Sequence, residues 1–134
     1  MNPILRNILA VLTGLIVGSV VNMSIIEVSG SIIPPPEGFD IRTEDGLKGS
    51  MHLLEAKHFI FPFLAHALGT FIGALLTAMI AATNKMKLSL LIGIFFLAGG
   101  IWMVTIIPAP IGFAVVDLLL AYIPCAWLLS LIHI

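Results

Sequence analysis

Apolar residues run through this chain in long unbroken stretches rather than in alternation. Four stretches, at about 8–26, 59–83, 88–107 and 111–132, reach the roughly 20 residues that a helix needs to cross about 30 Å of hydrocarbon. They lack the in-out alternation of membrane β-barrel strands. The predicted fold class is therefore all-α: an integral membrane four-helix bundle, with residues 1–134 forming a single transmembrane domain. The first stretch follows Arg6 and contains small residues at Gly18 and Ser19, as a signal peptide would. Its apolar run continues to Ile26, so it is expected to be an uncleaved first helix.

Between these stretches the polar residues predict three connections. Asn84 to Lys87 form a short turn, which makes the second and third helices antiparallel neighbours. Pro108, Ala109 and Pro110 form another, since proline ends one helix and is tolerated at the start of the next. The long first connection opens with the stiff run Pro34-Pro35-Pro36 and a turn at Glu37-Gly38. Over 43–56 a helical period returns: Leu47, Met51 and Leu54 share one face, and Glu44, Lys48, His52 and Glu55 the other. A short interfacial helix is expected there, leading into the second span.

Lipid gives apolar side chains no reason to associate, so close approach of small residues decides which helices touch. Gly14, Gly18 and Asn22 form one stripe on the first helix; Ala65, Gly69, Gly73 and Thr77 form another on the second. These two helices are expected to pack tightly. Gly93, Gly99 and Gly100 give the third helix a less regular groove, and Pro124 should kink the fourth and free the carbonyl of Leu120.

Composition agrees with the pattern. Of 134 residues, 60% are hydrophobic and 10% charged, with a mean hydropathy of +1.17, far from the quarter-charged make-up of soluble domains. A net charge of -1 gives no footing for a nucleic-acid partner. Cys125 is the single cysteine, which excludes an intrachain disulfide and a Cys-x-x-Cys redox centre. Arg6, Lys85 and Lys87 lie in short segments beside helix ends, whereas Arg42, Lys48 and Lys57 are diluted by five acids in the long connection. By the positive-inside tendency, both termini are expected in the cytoplasm and the long loop outside.

The residues that carry chemistry are those that hydrocarbon cannot solvate. Asp117 lies inside the fourth stretch with no basic neighbour in sequence, at a cost of about 2.5–3.5 kcal/mol unless it is paired, protonated or wet. His66 on the second helix is the expected partner. At about 1.5 Å per residue, His66 lies roughly 10 Å and Asp117 roughly 9 Å below the outer ends of their helices, and Asn22 lies about one turn below its own. Three helices thus bring polar groups to one level in the outer half of the bilayer, with Thr70 and Tyr122 lining the continuation. A binding or proton-linked site is expected at Asn22, His66, Thr70 and Asp117, with a structural hydrogen bond between helices as the plainer alternative.

Above that level, Glu27, His52, Glu55 and His58 form a second candidate group. The Glu-x-x-His spacing of Glu55 and His58 is one element of di-iron helix-bundle sites, which need a second copy and further carboxylates. A divalent metal at the outer interface is the expectation tied to these residues; a solvated surface is the alternative. His133 stands at the far end of the chain, and a lone histidine within the bilayer cannot give haem two axial ligands. Phe59, Phe61, Phe63 and Trp102 fit the aromatic belt and packing.

The segment Lys57-His58-Phe59-Ile60-Phe61-Pro62-Phe63-Leu64-Ala65-His66-Ala67-Leu68-Gly69-Thr70, with Pro34-Pro35-Pro36-Glu37-Gly38, resembles a group of small uncharacterised bacterial membrane proteins. The resemblance covers most of the chain. It implies a bacterial inner membrane and brings no activity with it. Small multidrug transporters, four-helix dimers with a glutamate in the first helix, do not match, because this first helix has Asn22 and the outer loop is far longer.

Three functions compete. An oligomeric channel or proton-linked transporter would use Asp117 and His66. A membrane-embedded metal-dependent enzyme would use Glu27, Glu55, His58 and either His52 or His66. A non-catalytic accessory subunit of a larger complex would use the polar site only to fix helix geometry. The partners implied are the lipid bilayer and either further copies of this chain or a larger membrane complex.

Overall fold

The computed structural model describes residues 1–40, 42–107 and 110–130. The first part of the third connection (Pro108 and Ala109), the end of the fourth predicted stretch and His133 lie outside the described residues. Those described form helices and turns, with no strand among them. Helix α1 spans Pro3–Ile32, α2 Glu44–Ser50, α3 Ile60–Ile80, α4 Lys85–Ile106, α5 Ile111–Leu120 and α6 Ile123–Ser130. Tight single turns at Met51–Leu53 and Ala56–Phe59 join α2 to α3. Four helical segments, with α5 and α6 counted together, are long and apolar enough to cross a bilayer. Leucine, isoleucine, valine and phenylalanine side chains stand exposed along all four, the surface of a multi-pass membrane protein rather than of a soluble one.

The helices outrun the apolar stretches, and the reason lies in their caps. Asn2 accepts the Ile4 N–H at 2.8 Å and Pro3 occupies the first helical position, so α1 starts before residue 8. No breaker follows Ile26 until Ile33, whose backbone is extended as the residue before a proline must be. At 30 residues α1 is about 45 Å long, half as long again as the hydrocarbon is thick. The α3 helix ends at Ile80 rather than at 83, because the Asn7 side-chain oxygen takes the Ala82 and Thr83 N–H groups at 2.8 and 3.2 Å. The Asn7 amide also donates to Thr83 Oγ1 at 2.8 Å, and the Arg6 guanidinium donates to the Ile80 carbonyl. Asn84 then turns the chain in the left-handed conformation, φ 51°, and α4 begins at once.

The α1 and α3 stripes meet. A Cβ on Gly14 would stand 2.5 Å from the Gly73 carbonyl oxygen, and one on Gly18 would stand 2.7 Å from that of Gly69. Only residues without side chains permit this approach. Ala74, Ile92 and Ala126 form the centre of the core on α3, α4 and α6, and Gly93 lets α6 close on α4.

Two expectations change. The fourth stretch is broken, not kinked: α5 ends at Leu120 and α6 restarts at Ile123. Pro124 has no N–H for the Leu120 carbonyl, which takes a weak bond from Cys125 Sγ at 3.6 Å instead. The expected helix over 43–56 is shorter. Thr43 caps it through the Gly46 N–H at 2.9 Å, but extended backbone at Leu54 and Glu55 ends the coil. Beyond α2, Met51 is buried while His52 and Glu55 are exposed. Glu44 and Lys48 pair at 2.8 Å, and that hydrogen bond holds the Lys48 ammonium above its usual range.

Candidate functional site

The side chain of Asp117 comes off α5 toward α3, and the residue is 3% exposed. His66 Nδ1 lies 2.7 Å from one of its carboxylate oxygens and 2.8 Å from the other. A carboxylate can only accept, so the Nδ1–H donates and the ring presents Nε2 as its second nitrogen. The Tyr122 hydroxyl donates to Asp117 Oδ2 at 3.2 Å, and the Tyr122 ring stacks on the imidazole with centroids 5.6 Å apart and planes inclined by 24°. Asp117 is thereby held by two donors, one from α3 and one from the break that follows α5.

Each position has a local cause. Pro62 falls in the first turn of α3, where its missing N–H costs nothing, and His66 follows one turn later. Asp117 lies near the end of α5; its own carbonyl accepts the Ala121 N–H at 2.9 Å, closing the last turn before the break. The break allows Tyr122, five residues on, to turn back toward Asp117. Gly100 on α4 receives the Tyr122 hydroxyl: a Cβ there would be 2.7 Å from it. Near the N-terminal ends of α3 and α5, Phe59 packs on Phe113 with ring centroids 4.7 Å apart.

Of the predicted polar site, the structure brings His66 and Asp117 into direct contact and adds Tyr122 as a third member. Asn22 and Thr70 make no bond to either. Asn22 lies against Gly69, with its Cβ 3.0 Å from where a Gly69 Cβ would be. Its side-chain oxygen and the Thr70 hydroxyl are buried and make no hydrogen bond to the described residues. The role of Gly100 was not expected; its only sequence sign is a glycine on the helix that Tyr122 must approach.

The four candidate metal ligands do not assemble. Among the described residues, no three His, Cys, Asp or Glu side chains come together as a metal site. His58 and Glu55 instead form a reciprocal cap: the Glu55 N–H donates to His58 Nδ1 at 2.8 Å, and the Glu55 side chain accepts the His58 N–H. His58 Nε2 donates to the Pro34 carbonyl at 3.2 Å, so both ring nitrogens are committed. His52 is exposed. Glu27 stands on the outer face of α1, bordering a shallow depression of about 300 Å³ with Ser19, Val20, Met23 and Ser24. In this structure the Glu-x-x-His spacing closes a turn.

No protein-family model, no curated protein sequence and no solved structure matches this chain.

Proposed function

We propose that this chain is a proton-linked transporter of a monovalent cation, working as an oligomer in a bacterial inner membrane. Both termini are assigned to the cytoplasm, and Asp117 and His66 to the outer half of the bilayer. The observation that carries the reading is a buried carboxylate bonded through both oxygens to one imidazole nitrogen, within helices built for lipid. Support for the orientation comes from Arg6, whose bond to the Ile80 carbonyl sets it at the same end of the bundle as Lys85 and Lys87. In this orientation α2 lies on the outer side, with Met51 just beyond it turned into the protein and its charged residues Glu44 and Lys48 exposed.

The chemistry follows from charge. With a neutral imidazole the pair carries one negative charge; a proton on Nε2 brings it to zero without breaking the Nδ1 bond. The His66 side chain is 23% exposed and Nε2 has no partner among the described residues, so Nε2 is the nitrogen left to take a proton. A monovalent cation beside the neutral imidazole restores the same balance. Proton and cation thus compete for one site, the requirement for exchange. Four spans enclose little volume, so the path for the cation runs between protomers.

The test uses purified protein in liposomes holding a pH-sensitive dye, with an imposed proton gradient and external sodium, potassium or tetraphenylphosphonium. Asp117→Asn lowers proton flux by about a hundredfold while the size of the assembly is unchanged. Equal flux in the variant removes the reading and favours a subunit in which the pair only joins helices.

A further inference from the structure

The buried hydroxyls of this protein separate into two kinds. Ser50, Thr70, Thr77 and Ser89 are the buried serines and threonines among the described residues. Ser50 donates to the Gly46 carbonyl at 2.6 Å, Thr77 to that of Gly73 at 2.9 Å, and Ser89 to that of Ala74 at 3.1 Å. Thr70 alone does not, although the carbonyl of His66 stands four residues back, where the Thr77 hydroxyl finds its acceptor. Thr70 is 1% exposed and its hydroxyl bonds to no described residue. The asparagines divide in the same way: Asn7 uses both ends of its amide at the foot of α1, while the buried oxygen of Asn22 is unpartnered. Polar groups enclosed in protein acquire partners, and where side chains and backbone supply none the usual partner is water.

Both exceptions meet at the turn of α3 that carries His66: Thr70 lies on it, and Asn22 reaches it from α1. His66 and Thr70 are four apart, the spacing that stacks side chains on one face of a helix. Gly69, next to Thr70, leaves the notch into which Asn22 fits from α1. Three polar side chains therefore surround residues 66–70, and one of them, His66, is already bonded to Asp117.

We propose that Thr70 and Asn22 hold water that continues the hydrogen-bonded path from His66 toward the α1–α3 seam, making this seam the inward route of the proton. The inference rests on the proton-linked reading of Asp117 and His66 and adds to it the direction of travel. A hydroxyl both donates and accepts, so Thr70 can pass a proton onward by turning about its Cβ–Oγ bond. Asn22 serves as an anchor for the same water and changes no charge.

The experiment compares Thr70→Val, Thr70→Ser and Asn22→Leu with the wild type and Asp117→Asn in the dye-loaded liposomes described above. Thr70→Val keeps the shape and removes the hydroxyl; it lowers proton flux by about tenfold or more, and Thr70→Ser restores it. Asn22→Leu also lowers flux. Thr70→Val keeps the side-chain volume and breaks no hydrogen bond to a described residue, so its unfolding in detergent is expected to stay close to that of wild type, which separates a lost path from a lost fold. Wild-type flux in Thr70→Val or in Asn22→Leu, with Asp117→Asn inactive, overturns the route and leaves the site standing. Wild-type flux in Asp117→Asn removes both. Should Thr70→Val fail to assemble, Asn22→Leu decides alone by the same criterion.

Discussion

The hydroxyl of Tyr122 occupies the space that a side chain on Gly100 would fill, 2.7 Å from the position of the missing Cβ, and from there it donates to Asp117. The third helix thus governs a carboxylate it never touches. Gly100→Ala is expected to push the phenol off Asp117 and to lower proton flux as Tyr122→Phe does. Gly99→Ala, where a Cβ meets nothing within 4 Å, leaves flux unchanged and stabilises α4 by about 0.5–1 kcal/mol. Flux assays with thermal unfolding in detergent check both.

Deleting His66 leaves Asp117 with the tyrosine alone. His66→Ala is expected to destabilise the protein by about 3–5 kcal/mol, the usual cost of orphaning one member of a buried pair. Adding Asp117→Asn recovers part of this loss. A double-mutant cycle on unfolding in micelles measures the coupling; additive losses would deny it.

The α1–α3 contact predicts a contrast between glycines. Gly14→Leu drives a side chain into the Gly73 carbonyl and should separate the two helices, whereas Gly112→Ala, in open space, changes nothing. Disulfide trapping between cysteines placed on α1 and α3, in a Cys125→Ala background, reports the separation.

In the first connection, His58 accepts the Glu55 N–H through Nδ1 while donating through Nε2 to Pro34. His58→Ala removes that acceptor and is expected to speed hydrogen exchange at the Glu55 amide, measured by mass spectrometry in micelles; an unchanged rate would deny the cap.

The spans were legible because nothing but helices buries so many consecutive apolar residues in lipid, and the pairing of His66 with Asp117 was legible because each lies six residues from the N-terminal end of its helix. Helix ends were less so. Asn7 stops α3 from 75 residues away, a relation no local window contains. Pro124 announces a disturbance, but whether the helix bends or parts depends on what Tyr122 finds on α4. The Glu55–His58 spacing suits a metal and a capping box equally, and only the position of the Pro34 carbonyl decides between them.

The division of the last membrane segment separates a fixed half from a free one. Ala126 on α6 is wedged against Gly93, whereas α5 has only Ala114 and Asp117 buried. The carboxylate–imidazole bond is therefore a principal polar tie between α5 and α3, and removing either partner would loosen the ten residues of α5 while α6 stays wedged against α4.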